Sequence, residues 1–147
     1  MSQAPDKVGV VTGAARGIGR ALAVGMAEAG YNVVITDLSS RAKRLRQTRS
    51  TIEAVGREAW VAPMKVANKA EVEAAFGRIL GQAGKIDVLV NNAGILKLST
   101  LEALSEKDWD AHMDVNVKGV LLCCQAIPSM RARKSRHIIN IASIAGR

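Results

Sequence analysis

Residues 8–19, Val8-Gly9-Val10-Val11-Thr12-Gly13-Ala14-Ala15-Arg16-Gly17-Ile18-Gly19, leave few folds open to this chain. Val8, Val10 and Val11 read as a short buried strand, and Gly13 breaks it at once. Gly17 and Gly19 follow, and a helical pattern then begins at Arg20-Ala21-Leu22-Ala23. A strand that turns through glycines into a helix points unpaired backbone N–H groups and a positive dipole end at one spot. Such a spot attracts anions, phosphate above all. Gly13 suits the turn, Gly17 lets backbone approach a pyrophosphate, and Gly19 allows close helix–strand packing.

The rest of the chain repeats that alternation. A helix is expected over 17–29 with Gly30 as its stop, then a strand over 31–36 that ends on Asp37. The next helix, 40–55, places Leu45, Thr48, Ile52 and Val55 on one face and a basic cluster on the other. A strand over 58–66 contains Pro63, which suits an edge. Asn68 caps a helix with Glu71 as its capping-box partner, and Val72, Ala75, Phe76 and Ile79 form its buried stripe up to Gly81–Gly84. A strand over 86–90 leads into Asn91-Asn92-Ala93-Gly94. Ser105 with Asp108 opens a long helix to about Met130, with Pro128 near its end, and 137–143 is the last strand. Strands alternating with helices predict one α/β domain: a parallel, doubly wound sheet of the Rossmann type, in the order 3-2-1-4-5.

Composition narrows the class. With 147 residues and 48% apolar content the chain buries a real core. No apolar run approaches the roughly 18 residues of a membrane span. The first six residues have neither a basic nor an apolar region of the secretory kind. The adjacent Cys123 and Cys124 cannot make a disulfide framework, so a cytoplasmic setting with both thiols reduced is expected. Much of the net charge of +8 sits in two clusters, Arg41–Arg49 and Arg131–Arg136. With only 3% aromatic residues these read as solvated basic faces rather than a nucleic-acid surface. They still attract anionic ligands.

Separated motifs together resemble the short-chain dehydrogenases/reductases from Lys7 to Arg147. Thr12–Gly19 is similar to that family's cofactor turn, and Asn91-Asn92-Ala93-Gly94 to the signature that steadies its central sheet beside the cofactor. Asn116, in Val115-Asn116-Val117-Lys118-Gly119, falls on the family's active-site asparagine, and Ser143 on its catalytic serine. The resemblance implies a nicotinamide cofactor held by Gly13, Arg16, Gly17, Ile18, Gly19, Asp37, Val66, Asn92, Ala93 and Gly94. It implies catalytic roles for Ser143, which would hold the substrate oxygen, and Asn116, which would hold a water in a proton relay. It also implies hydride transfer between NAD(H) and a small-molecule secondary alcohol or ketone, and a homo-oligomer in the intact parent.

Two departures qualify this. The family's Asp-Val pair after the third strand, whose carboxylate contacts adenine, reads Lys65-Val66 here. The family's Tyr-x-x-x-Lys lies beyond the serine, and the sequence ends at Arg147 before that pair. The expectation is therefore the front three-fifths of such an enzyme, with poor turnover alone. The only tyrosine, Tyr31, opens the second strand with Ile35 four places on, so it is no substitute.

Asp37 lies close to the spacing, about 20 residues past the turn, at which an acid binds the adenosine ribose hydroxyls. A carboxylate there repels a 2′-phosphate and favours NAD over NADP, whereas Arg16 and Arg41 argue the other way. His112 and His137 lack metal-ligand spacing and read as structural. Trp60, Trp109, Met113 and Met130 read as core or helix packing, and both cysteines as small apolar fillers. Two other readings stay open. One is a non-catalytic dinucleotide-binding or interaction module. The other, a methyltransferase, is disfavoured by Asn91–Gly94 and Ser143.

Overall fold

The computed structural model describes residues 7–127 and 136–143. The elements, in chain order, are β1 (Val8–Thr12), α1 (Gly17–Glu28), β2 (Asn32–Thr36), a 3₁₀ turn (Ser39–Arg41), α2 (Ala42–Ala54), β3 (Ala59–Val61) and α3 (Lys69–Ala83). There follow β4 (Val88–Asn91), α4 (Glu106–Met113), a π turn (Asp114–Lys118), α5 (Gly119–Gln125) and β5 (His137–Asn140). All strand pairs are parallel, in the order β3-β2-β1-β4-β5. That is the expected Rossmann-type sheet. No described helix is long and apolar enough to cross a membrane.

The pleat sorts the strand side chains into two cores. Val10, Val34 and Leu89 join Phe76, Ile79 and Leu122 on the α3–α5 face. Val11, Val33, Ile35, Val88 and Val90 join Ala23, Leu45 and Ile52 on the α1–α2 face. Every residue of β1 and β2 is buried, as central parallel strands require. Cys123 packs in the first core, and burial pushes its thiol up to about 12, so it serves as an apolar filler. Trp60 packs half-buried against the same core.

Several boundaries differ from the sequence reading. β3 keeps only Ala59–Val61, so Pro63 falls after the strand rather than in it. The last strand is likewise shorter, His137–Asn140. Val55 lies past the end of α2 and is 43% exposed, not buried with Leu45 and Ile52. At α3 the box closes on one side only: Asn68 Oδ1 accepts from Glu71 N, but Glu71 Oε2 accepts from Lys65 N at 2.8 Å. The expected long helix from Ser105 is capped as predicted, Ser105 Oγ accepting from Asp108 N. It is then interrupted by the π turn and ends at Gln125. Trp109 and Met113 are exposed on it, not buried. Pro128, Met130 and the second basic cluster up to Lys134 lie outside the described residues.

Candidate functional site

Thr12 ties the ends of β1 and β4 together. Its hydroxyl donates to Val90 O (3.4 Å) and accepts from both Asn92 N and Ala93 N at 3.0 Å. The Asn92 amide in turn donates to Thr12 O at 2.9 Å and Gly13 O at 3.4 Å. The glycine turn and the Asn91–Gly94 segment are thus one hydrogen-bonded unit at the C-terminal ends of adjacent strands. In open α/β sheets that end is where ligands bind.

The glycines are required by what surrounds them. Gly13 has φ +68°, and a Cβ there would also meet Ala93 Cα at 2.9 Å. A Cβ on Gly19 would clash with Gly13 O and with Asn92 Nδ2. Gly17 is the opposite case: nothing lies within 4 Å of its Cβ position, and the open space belongs to a cleft.

That cleft, about 500 Å³, is lined by Gly13, Arg16, Gly17, Ile18, Gly19, Asp37, Val66, Asn92, Ala93 and Gly94. These are the positions picked out for cofactor contact in the sequence, and the fold brings them together. Its wall also includes Leu38, Arg41, Met64, Lys65, Ile95 and Val115. Those apolar members carry no motif, and only their positions at strand ends could have pointed to them.

The electrostatics favour an anion. α1 begins at the cleft with no side-chain cap and no acid in its first turn. α3 and α4, by contrast, are capped by Asn68 and Ser105. The first N–H groups of α1 are therefore left for a ligand. Asp37, whose side chain is 5% exposed, accepts from Ala15 N (3.1 Å), Leu38 N (2.8 Å) and Arg41 Nη1 (3.1 Å). Its charge is thus partly spent inside the protein. Thr48 Oγ1, read from sequence only as part of a helix face, donates to Ala14 O and fastens α2 to the turn.

The two positions matched to catalysis do not line this cleft, although Asn116 stands against its wall. Asn116 sits in the π turn and clamps the backbone of Ile95, accepting from its N at 2.8 Å and donating to its O at 2.9 Å. It therefore fixes a residue of the cleft wall without lining the cleft itself. Ser143 is exposed beyond β5 and is not among the lining residues. Asn140 Oδ1 accepts from the Asn91 amide at 2.9 Å and aligns β5 with β4. Tyr31 lies elsewhere, on a second, apolar cleft with Met26, Val88 and Ile139, and Lys7 stands over its ring. Among the described residues no His, Cys, Asp and Glu cluster could hold a metal ion.

Against protein-family models, residues 7–147 match the family described as short chain dehydrogenase. A 3-oxoacyl-[acyl-carrier-protein] reductase, FabG, from Staphylococcus epidermidis is 42% identical over 142 residues, covering 96% of this chain and 58% of that protein. A metagenomic short-chain oxidoreductase solved in complex with NADP superposes with TM-score 0.88 at 38% identity, covering 96% of this chain and 64% of the other. An alcohol dehydrogenase from Thermococcus sibiricus, complexed with 5-hydroxy-NADP, gives 0.85 at 31%, covering 91% and 57%. The chain thus spans about three-fifths of the length of the curated relative.

Proposed function

Since the chain belongs to the short chain dehydrogenase family, matched from residue 7 to residue 147, we propose that it binds a nicotinamide dinucleotide in the glycine-turn cleft and serves an NAD(P)-dependent oxidoreductase. The bound nicotinamide would supply or accept the hydride, and the protein's part is placement. The observation that supports this most is the uncapped N-terminus of α1 opening onto the empty space beside Gly17. A Cβ at residue 17 would intrude where a pyrophosphate needs close backbone approach.

In this reading Gly17, Ile18 and Gly19 present backbone N–H groups to the pyrophosphate, with Arg16 beside them. Asp37 and Leu38 hold the adenosine ribose, and Val66 and Ala93 pack against the cofactor. Asn92 acts by holding Gly13 and Thr12, and Gly94 leaves room near the Asn116 clamp. Lys65 stands at the adenine end, where the family's acid would accept a hydrogen bond that an ammonium cannot. Ser143 is proposed to hold the substrate oxygen, and Asn116 to serve the proton path as well as the clamp. The substrate is proposed to be a small-molecule ketone or secondary alcohol, the protein a cytoplasmic homo-oligomer.

The preference for NAD expected from Asp37 weakens on inspection of its partners. Arg41 pairs with the carboxylate, and Arg16 and Lys65 line the same cleft. Three cations against one acid give a 2′-phosphate favourable company. We therefore propose binding of both NADH and NADPH, within roughly tenfold of each other.

A second reading is favoured by the position of Tyr31 away from the cleft. These 147 residues would then hold the nucleotide without turning over substrate. Fluorescence titration with NADH and NADPH, beside a carbonyl-reduction assay, tests both. Binding to neither cofactor overturns the first proposal. Binding without turnover establishes the second for this chain.

A further inference from the structure

The segment after Gly94 forms one wall of the cleft through Ile95 and is gripped again two residues on. Lys97 N donates to His112 Nε2 at 2.9 Å. The other ring nitrogen, Nδ1, lies 2.6 Å from the carbonyl oxygen of Asp108, one turn earlier on α4. These partners leave the imidazole a single protonation state. A backbone carbonyl can only accept, so Nδ1 carries the proton; a backbone N–H can only donate, so Nε2 must carry a lone pair. The ring is neutral, and both of its nitrogens are in use.

We propose that His112 is a pH-sensitive latch that holds the main chain at Lys97 against α4, two residues past the cleft wall at Ile95, only while its imidazole is neutral. Protonation at Nε2 sets a donor against the Lys97 N–H and removes its acceptor. Among the described residues, the charged groups tied to the ring are Asp108 on its own helix and Lys97 on the segment. They are paired with each other, the Lys97 ammonium reaching both carboxylate oxygens at 2.9 and 2.8 Å. Ser105 Oγ also donates to that carboxylate, and these two bonds hold it below the usual carboxylate range. It therefore stays ionised through the histidine range, and the Lys97 side chain keeps its grip after the backbone bond is lost. The segment loosens at its main chain without detaching. Histidine is the side chain whose gain of a proton in the neutral range gives such a device its trigger.

The latch does not depend on the oxidoreductase reading, because it is read without cofactor. The test is amide hydrogen exchange at Lys97 by heteronuclear NMR on the whole chain, from about pH 8 to about pH 5, corrected for the intrinsic exchange rate. Protection should fall roughly fivefold, the worth of one hydrogen bond, along the titration curve of the His112 ring signals. His112→Gln, whose amide oxygen accepts but does not titrate, should keep the protection at every pH, and His112→Ala should lose it at every pH. Protection that ignores the His112 titration in the unmodified protein, or that survives in His112→Ala, overturns the proposal. Failure to bind NADH or NADPH would overturn the functional reading and leave this result standing.

Discussion

The two ends of the sheet are built differently. Around β1 and β2 the strands are buried on both faces, and α1, α2 and α3 cover them through Ala23, Leu45, Ile52, Phe76 and Ile79, none more than 1% exposed. At the other end every residue of β5 is exposed, α4 buries no residue, and Ile138, Ile139, Trp109, Val117 and Leu121 face solvent. Composition does not explain this, since both ends carry isoleucine and valine. What differs is whether a second layer lies over them among the described residues. The closed end holds the glycine turn in place, and the open end leaves apolar side chains uncovered among the described residues.

The largest test of the contrast is a pair of truncations. Phe76→Ala should cost about 3–5 kcal/mol of folding stability. Ile139→Ala, with its side chain half in water, should cost less than about 1 kcal/mol. Urea unfolding of both variants measures the difference, and equal losses would mean that β5 is covered in solution.

The same contrast explains what the sequence made legible. At the closed end short-range signals agree with the packing: β-branched runs become β1 and β2, Leu45, Thr48 and Ile52 become one face of α2, and Asn68 caps α3. The cleft positions were readable because glycine spacing encodes backbone needs directly. At the open end periodicity misled. Trp109 and Met113 follow a helical repeat, but they stand 55% and 41% exposed. The π turn at Asp114–Lys118 coincides with the Asn116 clamp on Ile95, a contact 21 residues back along the chain that no local window shows. Val55 lies at the point where α2 has already ended, and a one-residue error in a boundary turned an exposed side chain into an expected core member.

Within the closed end, the next effect concerns fit rather than burial. Gly19→Ala puts a Cβ against the backbone of Gly13 and the amide of Asn92. Overpacking of this kind costs about 1–3 kcal/mol, and displacing the turn should weaken NAD(P)H binding at least about tenfold. Gly25→Ala, on the same helix with nothing within 4 Å of its Cβ, is the control and should be neutral or slightly stabilising. Calorimetric titration with thermal unfolding separates the two. Identical behaviour of both variants would remove the close approach as the reason for glycine at position 19.

Alkaline pH probes the core from another side. Burial raises the Cys123 thiol from 9.0 to about 12, so the folded state keeps a proton that the unfolded chain gives up. The stability tied to it is fully present below pH 9 and is lost as pH rises toward 12. Near about pH 10 the loss should be on the order of 1 kcal/mol. It should be absent in Cys123→Ala, whose stability starts lower but does not share that slope. Urea midpoints at a series of alkaline pH values give the answer, and parallel curves for the two proteins would place Cys123 nearer solvent than its burial implies.

The smallest expected change in stability is at the open end, and it should carry a large change in assembly. Trp109, Met113, Val117 and Leu121 recur at every fourth residue along α4, the π turn and α5, and each is at least 41% exposed. A row of that length is costly to leave in water and cheap to cover with its own copy, so the chain is expected to self-associate rather than behave as a stable monomer. Val117→Lys combined with Leu121→Glu removes apolar area from the middle of the row. Neither residue is buried in the fold, so stability should stay within about 0.5 kcal/mol. Size-exclusion chromatography with light scattering should show the unmodified chain as larger species and the double variant shifted toward the monomer mass. A sharp monomer peak with cooperative unfolding for the unmodified chain would show that the open end needs no cover. The difference between the two ends would then reflect only where the apolar residues fall.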